Sequence, residues 1–395
     1  MTYRELLQRY QEGTLDEEQR QQVASSIEQQ EAISDFLWDR DLPEEEEPTL
    51  PEEAPELTAS IQKTIRRTFL KLGVTVGLAV LALTLCAVFL LPKVVDQFYY
   101  RPNEIAGVGS EPDLTTSRMS LDLAVWSELF LPGRFRETVT AVPRGYGVYD
   151  IAIPQTISAD GRFRTEAGTL VRNRLQLYNP DFLSPPVGNA FLLPEGKEET
   201  FGYAHMDNET SEILPYSRAE VRAQCFRVLQ DRTMPGQPVI AYVSFETLQS
   251  YEDTMAFLNR YDLLGCAWGG VYAEAADGHW LTENTGMRLD QSGILVNWDR
   301  DRYPALSFLG STDEELQDEA LPKTHFLSLM QYLEDHEEMV EVFGRPGYHR
   351  QTSEIRAYVE ENGLQFYGVA VITTAEDLLQ LEQEPLVSQI HTTPY

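Results

Sequence analysis

Residues 72–91 read LGVTVGLAVLALTLCAVFLL, a run without a single charged side chain. A helix rises about 1.5 Å per residue, so this run reaches about 30 Å, the thickness of the hydrocarbon core of a bilayer. The run therefore predicts a single membrane-spanning helix. It divides the chain into two soluble parts of unequal size that lie in different compartments.

The charges that flank the run indicate its orientation. Basic residues crowd its N-terminal side, whereas Lys93 and Arg101 beyond its end are partly offset by Asp96. Cationic flanks stay in the cytoplasm, so the N-terminus is predicted to be cytoplasmic and the C-terminal part to lie outside the cell membrane. Arg66 and Arg67 also resemble a twin-arginine export signal, but more than sixty residues precede them. The residues predicted to anchor the cytoplasmic end are Lys63, Arg66, Arg67 and Lys71.

Within the run, Gly73 and Gly77 have the spacing of small residues that lets two membrane helices approach closely. Glycines also soften a helix, which would help an intramembrane protease to unwind it. Both interpretations remain open at this point.

The composition limits the classes of partner. The chain has 395 residues, a formal net charge of −32 and a sequence pI near 4.5. Nucleic-acid binding needs a basic face, so it is disfavoured, as is adsorption to anionic lipid outside the basic flank. About 300 residues lie after the run and about 40 structured ones before it, so only the later part is large enough to bury a sizeable core alone.

The first part of the chain, residues 1–40, is predicted to be short and all-helical. Its apolar positions, among them Val23 and Ile27, follow helical spacing but are too few to close a core. This apolar stripe is either the contact between the two helices of a helical hairpin within this segment or a docking face for a partner. Residues 41–62 follow as a linker, because DLPEEEEPTLPEEAPE (41–56) combines like charges with prolines, which favours an extended, disordered tether.

The remaining regions are the membrane helix with its flank (63–97), a membrane-proximal α+β region (98–230) and a C-terminal α/β region (231–395). In the membrane-proximal region, 117–131 reads as an amphipathic helix. The C-terminal region alternates strands and helices, which favours an α/β (α+β) architecture with helices packed on a sheet. Its predicted strands are 239–245, 267–273, 294–298, 364–373 and 386–390, and its predicted helices are 248–261, one capped by Thr312 and Glu315, 323–343, 352–361 and 375–381.

The residues offer little for chemistry. No two of the six histidines have the i, i+4 spacing of a zinc site, and no nucleophile elbow, phosphate loop or dinucleotide turn is present. We therefore expect no enzymatic activity, no metal and no cofactor. Of the three cysteines, Cys86 lies in the apolar run. Cys225 and Cys266 both lie after it, so one disulfide bond between them is possible.

Three stretches together resemble the Firmicute sigma-factor regulators, which are membrane-bound anti-sigma factors with an extracytoplasmic regulator domain. These stretches are YQEGTLDEEQRQQVASSIEQQEAISDFL (10–37), the apolar run with its basic entry, and the C-terminal region. In the C-terminal region, 238–274 look like the family's strand-helix-strand unit and 358–383 like its closing unit. The closing unit is the most specific match, through Tyr358, Gly363, Tyr367, Gly368, Val369, Val371, Thr373, Leu378 and Leu379.

The resemblance implies that the N-terminal helices bind an extracytoplasmic-function sigma factor and that the outer domain senses or transmits an envelope signal. The implied sigma-binding residues are Tyr10, Leu15, Val23, Ile27, Phe36 and Leu37. Many anti-sigma domains carry zinc, but this segment has neither cysteine nor histidine, so its folding would depend on the sigma factor. Release would be conformational, or proteolytic through a site-1 or intramembrane protease. The alternative is a membrane-anchored binding module without a sigma partner.

Overall fold

The computed structural model describes residues 20–21, 23–25, 28, 55–108, 115–134, 136, 138–156, 163–184, 190–197, 204–206, 213–232, 236–282, 284–290, 297–308, 310–344 and 351–394. By its contacts the chain divides into two compact units, residues 1–81 and residues 82–395. The described residues form a mixed α/β structure, as the sequence predicts, together with one long apolar helix.

The long apolar helix contains the run 72–91. It comprises α1 (Pro55–Leu85), a π turn (Cys86–Leu90) and α2 (Leu91–Asp96). The segment Ile65–Asp96 is long and apolar enough to cross a membrane, and no residue of its most apolar window is buried. Pro92 accounts for the π turn, because a proline ring clashes with the carbonyl four residues earlier in a regular α-helix.

A short antiparallel ribbon follows the helix and leads into α3 (Arg118–Phe130). Its strands are β1 (Ile105–Val108) and β2 (Thr115–Ser117). Ser117 caps α3 by accepting a hydrogen bond from the Ser120 amide. The prediction of an amphipathic helix here is wrong in its pattern, because every residue of 119–130 is buried. A helix that is buried all round lies inside a core rather than on its surface.

A four-stranded antiparallel meander comes next, in the order β3-β4-β5-β6. Its strands are β3 (Thr140–Gly145), β4 (Val148–Thr156), β5 (Phe163–Val171) and β6 (Arg174–Leu177). A 3₁₀ turn (Pro180–Leu183), the two-stranded ribbon of β7 (Ala204–Met206) and β8 (Ile213–Pro215), and α4 (Arg218–Arg232) lead to the C-terminal region.

The C-terminal region is built on a five-stranded antiparallel sheet in the order β11-β10-β12-β9-β13. Its strands are β9 (Pro238–Ser250), β10 (Trp268–Val271), β11 (Gly286–Arg288), β12 (Gln365–Thr374) and β13 (Val387–Pro394). Its helices are α5 (Tyr251–Arg260), α6 (Ala320–Asp335), α7 (Glu337–Phe343), α8 (Thr352–Asn362), α9 (Ala375–Leu379) and a 3₁₀ turn (Gln380–Gln383).

A single hydrophobic core contains side chains from both the membrane-proximal and the C-terminal regions. Trp126 and Phe130 of α3, Ile151 of the meander, and Phe326 and Val369 of the C-terminal region all belong to it. Burial of apolar surface is the main force that stabilises such a core, so residues 98–230 and 231–395 depend on each other for burial.

The structure corrects three local predictions in the C-terminal region. The helix predicted over 323–343 is two helices, because the ring of His336 stacks on Tyr332 and its Nδ1 meets the Tyr332 carbonyl at 2.9 Å, where a helical amide would bond. Thr312 and Glu315 cap each other in a turn, whereas the helix begins at Ala320. Of the strand predicted over 294–298, residues 297 and 298 are loop and the rest lie outside the described residues. Strand β11 of this region was not predicted.

Candidate functional site

Most of the predicted sigma-binding residues fall outside the described residues. Val23 is the exception: residues 20–21 and 23–25 are helical, and Val23 is 3% exposed. Tyr10, Leu15, Ile27, Phe36 and Leu37 lie outside the described residues.

The predicted anchor and packing residues lie on one helix. Lys63, Arg66, Arg67 and Lys71 are exposed on α1 before the apolar run. A Cβ atom added at Gly73 or Gly77 would meet nothing within 4 Å, so the helix surface around both glycines is open.

Two tight turns of the meander form the site that sequence reasoning missed. The β3–β4 turn is Tyr146-Gly147 and the β5–β6 turn is Arg172-Asn173, and all four residues have φ between +49° and +74°. Positive φ at both central residues is typical of two-residue hairpin turns, whose twist matches that of the flanking strands. The Arg172 amide donates to the Gly147 carbonyl at 2.9 Å. We call these four residues the paired turns.

The paired turns hold the C-terminal end of the apolar helix through three hydrogen bonds. The Gly147 amide donates to Asp96 Oδ1 at 2.5 Å, and the Tyr100 amide donates to Asn173 Oδ1 at 2.7 Å. The Tyr146 hydroxyl donates to the Ala87 carbonyl at 2.8 Å. These bonds fix the last two turns of the helix against the meander.

The Ala87 carbonyl is available because the helix is locally irregular. The Leu91 amide, which would be its partner in an α-helix, donates to the Cys86 carbonyl instead. The next residue is Pro92, which has no amide hydrogen. The Tyr146 hydroxyl therefore gives this carbonyl a donor that the helix itself does not supply.

Glycine on each side of Tyr146 makes the close approach of the helix feasible. A Cβ atom on Gly147 would lie 2.6 Å from Tyr99 Cδ2, and one on Gly145 would lie 3.1 Å from Pro92 Cβ. Both glycines also have φ above +70°, which other residues adopt only with strain. The sequence RGYG (144–147) was the available signal for this contact.

Tyr100 continues the contact into the core. Its hydroxyl donates to Asp122 Oδ2 at 2.5 Å, and the Tyr332 hydroxyl donates to Asp122 Oδ1 at 2.5 Å. All three side chains are buried. We call Tyr100, Asp122 and Tyr332 the polar seam, because it joins the end of the apolar helix to α3 and then to α6.

Burial sets the protonation behaviour of the polar seam. Burial raises the pKa of Asp122, and the hydrogen bonds from the two tyrosines and the charge of Arg118 oppose that rise. Burial and the Asp122 carboxylate raise the pKa of both tyrosines well above the ordinary value. The tyrosines therefore remain donors, and the seam is a fixed network rather than a proton-transfer chain.

A second buried contact ties α3 to the C-terminal region. Glu128 Oε1 lies 2.5 Å from His325 Nε2 and accepts a hydrogen bond from the Arg288 amide at 3.3 Å. The Trp268 indole donates to the Glu128 carbonyl at 2.6 Å. Together with Asp122, Glu128 explains why carboxylates stand in an otherwise apolar helix: each holds a group of the C-terminal region.

An open cavity of about 370 Å³ lies beside the polar seam. Arg118 and Arg302 line it, but they form ion pairs with neighbouring carboxylates, Arg118 with Glu338 and Arg302 with Asp335. Among the described residues no group of three or more His, Cys, Asp or Glu side chains is placed to hold a metal ion. Cys225 and Cys266 are free thiols.

Comparison with known proteins assigns the C-terminal region. Residues 233–391 match the family model described as sigma factor regulator C-terminal. The comparisons with curated proteins and with solved structures gave no match. The matched segment contains the five-stranded sheet, except for residues 392–394 at the end of β13, together with Tyr332 and His325, whereas α3 and the paired turns precede it. The match over residues 233–391 thus confirms the predicted resemblance to the sigma-factor regulators.

Proposed function

We propose that this protein is a membrane-anchored anti-sigma factor that sequesters an extracytoplasmic-function sigma factor through its N-terminal segment. The family match over 233–391 is the observation that carries the proposal, because it supports a role in sigma-factor regulation. The apolar helix supplies the anchor. Its basic entry, Lys63 to Lys71, favours a cytoplasmic N-terminus and an outer C-terminal domain.

The N-terminal segment is the part that would meet the sigma factor. In this proposal Tyr10, Leu15, Val23, Ile27, Phe36 and Leu37 supply apolar contacts, and the acidic tether attracts the basic faces of the sigma factor. A segment of about 40 residues is too small to be stable alone without other support, so binding and folding are coupled.

The outer domain would control the segment through the apolar helix. The paired turns hold the helix at Ala87, Asp96 and Tyr100, and the polar seam connects Tyr100 to α6 of the regulator domain. A ligand or partner that repacks the regulator domain would thereby change how the helix end is held. That change could act in two ways. It would expose the helix to a site-1 or intramembrane protease, or it would shift the helix itself.

Copurification of sigma factors with the full-length protein tests the proposal. We expect the wild-type protein, extracted from membranes, to retain an extracytoplasmic-function sigma factor. The Val23→Asp substitution should reduce the retained amount at least tenfold, since a buried charge costs several kcal/mol in an apolar contact. The matched control is Gln21→Ala, an exposed position in the same helical stretch.

A chromosomal deletion of residues 1–40 separates this function from the alternative. Loss of an anti-sigma segment predicts derepression of one defined regulon. A membrane-anchored binding module without a sigma partner predicts no transcriptional change. Wild-type protein that retains no sigma factor, together with an unchanged transcriptome in the deletion strain, would refute the proposal.

A further inference from the structure

The paired turns lie unusually close to the apolar run. The Tyr146 hydroxyl bonds to the carbonyl of Ala87, which lies four residues before the end of the run at Leu91. At the helical rise per residue this places the hydroxyl about 6 Å on the hydrocarbon side of the end of the run. A meander that touches the helix at this depth meets the bilayer.

We propose that the paired turns rest in the outer leaflet of the phospholipid bilayer, with the ring of Tyr146 immersed in the interface. This inference rests on the proposed membrane anchoring. It adds a lipid contact formed by the folded domain, about sixty residues along the chain from the helix.

The side chains at this end of the meander suit a lipid interface. Tyr146 is 40% exposed although its hydroxyl is bonded, so its ring is free to contact lipid. Tyrosine rings prefer the membrane interface, where one part is apolar and the polar group finds a partner. Phe98, two residues after the end of α2, is 78% exposed and offers a second aromatic ring on the C-terminal side of the apolar run.

The local charge also differs from that of the whole chain. The segments that form the two turns, 144–150 and 171–174, contain three arginines and one carboxylate, whereas the chain as a whole carries a net charge of −32. Arg172 belongs to the paired turns, and Arg144 and Arg174 lie beside them, with Arg144 in an ion pair with Asp150; Lys93 follows the apolar run. Arginine and lysine bind lipid phosphates, so this end of the meander is complementary to a phospholipid headgroup layer.

Fluorescence quenching by lipid tests the inference on the full-length protein. We would reconstitute Tyr146→Trp into phospholipid vesicles brominated on the acyl chains and into unbrominated vesicles, and subtract the emission of the wild-type protein. The control is Tyr178→Trp, because Tyr178 is 85% exposed and follows β6, where its amide bonds to the Ala167 carbonyl away from the paired turns. Arg174→Trp, next to the second turn and exposed, is the second variant if Tyr146→Trp does not fold.

We expect the added tryptophan at 146 or 174 to be quenched about twofold by bromine and the one at 178 to be unaffected. Equal quenching at the turns and at position 178, or none at the turns, would overturn the inference. Flotation of the vesicles separates this failure from failure of the anchoring: protein that floats without quenching overturns the lipid contact alone. Protein that does not float overturns the anchoring and the lipid contact together.

Discussion

Removal of the two tyrosine hydroxyls of the polar seam should reveal how strongly it couples the helix end to the regulator domain. In Tyr100→Phe and Tyr332→Phe the ring is kept and one donor to Asp122 is lost. Each hydroxyl lies 2.5 Å from a carboxylate that is fully buried. A hydrogen bond to a charged group contributes about 1.5–3 kcal/mol, so each single variant should lower the free energy of unfolding by about 2 kcal/mol.

At acid pH, the double variant should lose less unfolding free energy than the sum of the losses of the two single variants. Burial raises the pKa of Asp122 and the tyrosine hydrogen bonds oppose the rise, so removing both bonds raises that pKa further. A group whose pKa is raised in the folded state stabilises the fold below its unfolded pKa, and this stabilisation is lost as pH rises through the folded pKa. Between the ordinary value of 3.8 and the higher folded value, the double variant therefore gains stability as pH falls.

The assay is urea unfolding of the full-length protein in detergent micelles at pH 5 and pH 8, followed by tryptophan fluorescence. Trp126 of α3 and Trp268, which is bonded to Glu128, report on the core around the seam. Tyr178→Phe is the matched control, since that ring is 85% exposed. Single variants that each lose less than about 0.5 kcal/mol, or a double variant that is additive at both pH values, would refute the reasoning.

Three further outcomes follow from the same contacts. Tyr146→Phe should lower the unfolding free energy by about 1 kcal/mol, because a helix carbonyl loses its donor, and a midpoint of thermal unfolding equal to that of the wild type would contradict this. Gly147→Ala should lower the unfolding free energy in urea by about 1–3 kcal/mol more than Gly196→Ala does. Both glycines have positive φ, but only a Cβ at position 147 would lie against a tyrosine ring. Equal losses would show that the tyrosine ring moves aside without cost. Glu128→Leu should lower the unfolding free energy by about 3–5 kcal/mol and Glu128→Gln by clearly less, because leucine leaves Nε2 of the buried His325 ring without the Glu128 side chain. Equal losses in the same unfolding curves would argue against this pairing.

The stability effects and the proposed regulation share one structural cause. The helix end is held by the paired turns, and the regulator domain is held to α3 by Asp122 and Glu128. A change at either contact reaches the other through Tyr100, which takes part in both. We therefore expect substitutions in the polar seam to alter sigma-factor release as well as stability, and reporter activity of the regulon is the measurement.

Periodicity and composition alone determined the local elements. The uncharged run 72–91 predicted a helix, and the alternation after 231 predicted a mixed α/β region. The helix predicted over 352–361 is present as α8 and ends at Gly363, whose φ is +76°. These features depend on neighbours in sequence, which is why the chain shows them directly. The resemblance to sigma-factor regulators was likewise visible in the residues of the closing unit and is confirmed by the family match.

The tertiary structure decided what joins these elements. Three features could not be read from the sequence. Helix α3 lies inside the core, and its Asp122 and Glu128 pair with residues about two hundred positions later. Tyr146 bonds to a helix carbonyl about sixty residues earlier. A buried carboxylate and an exposed one look alike in a chain rich in acidic residues. Only the packing shows which of them lose contact with water and must find donors, because desolvation depends on the whole fold rather than on local sequence.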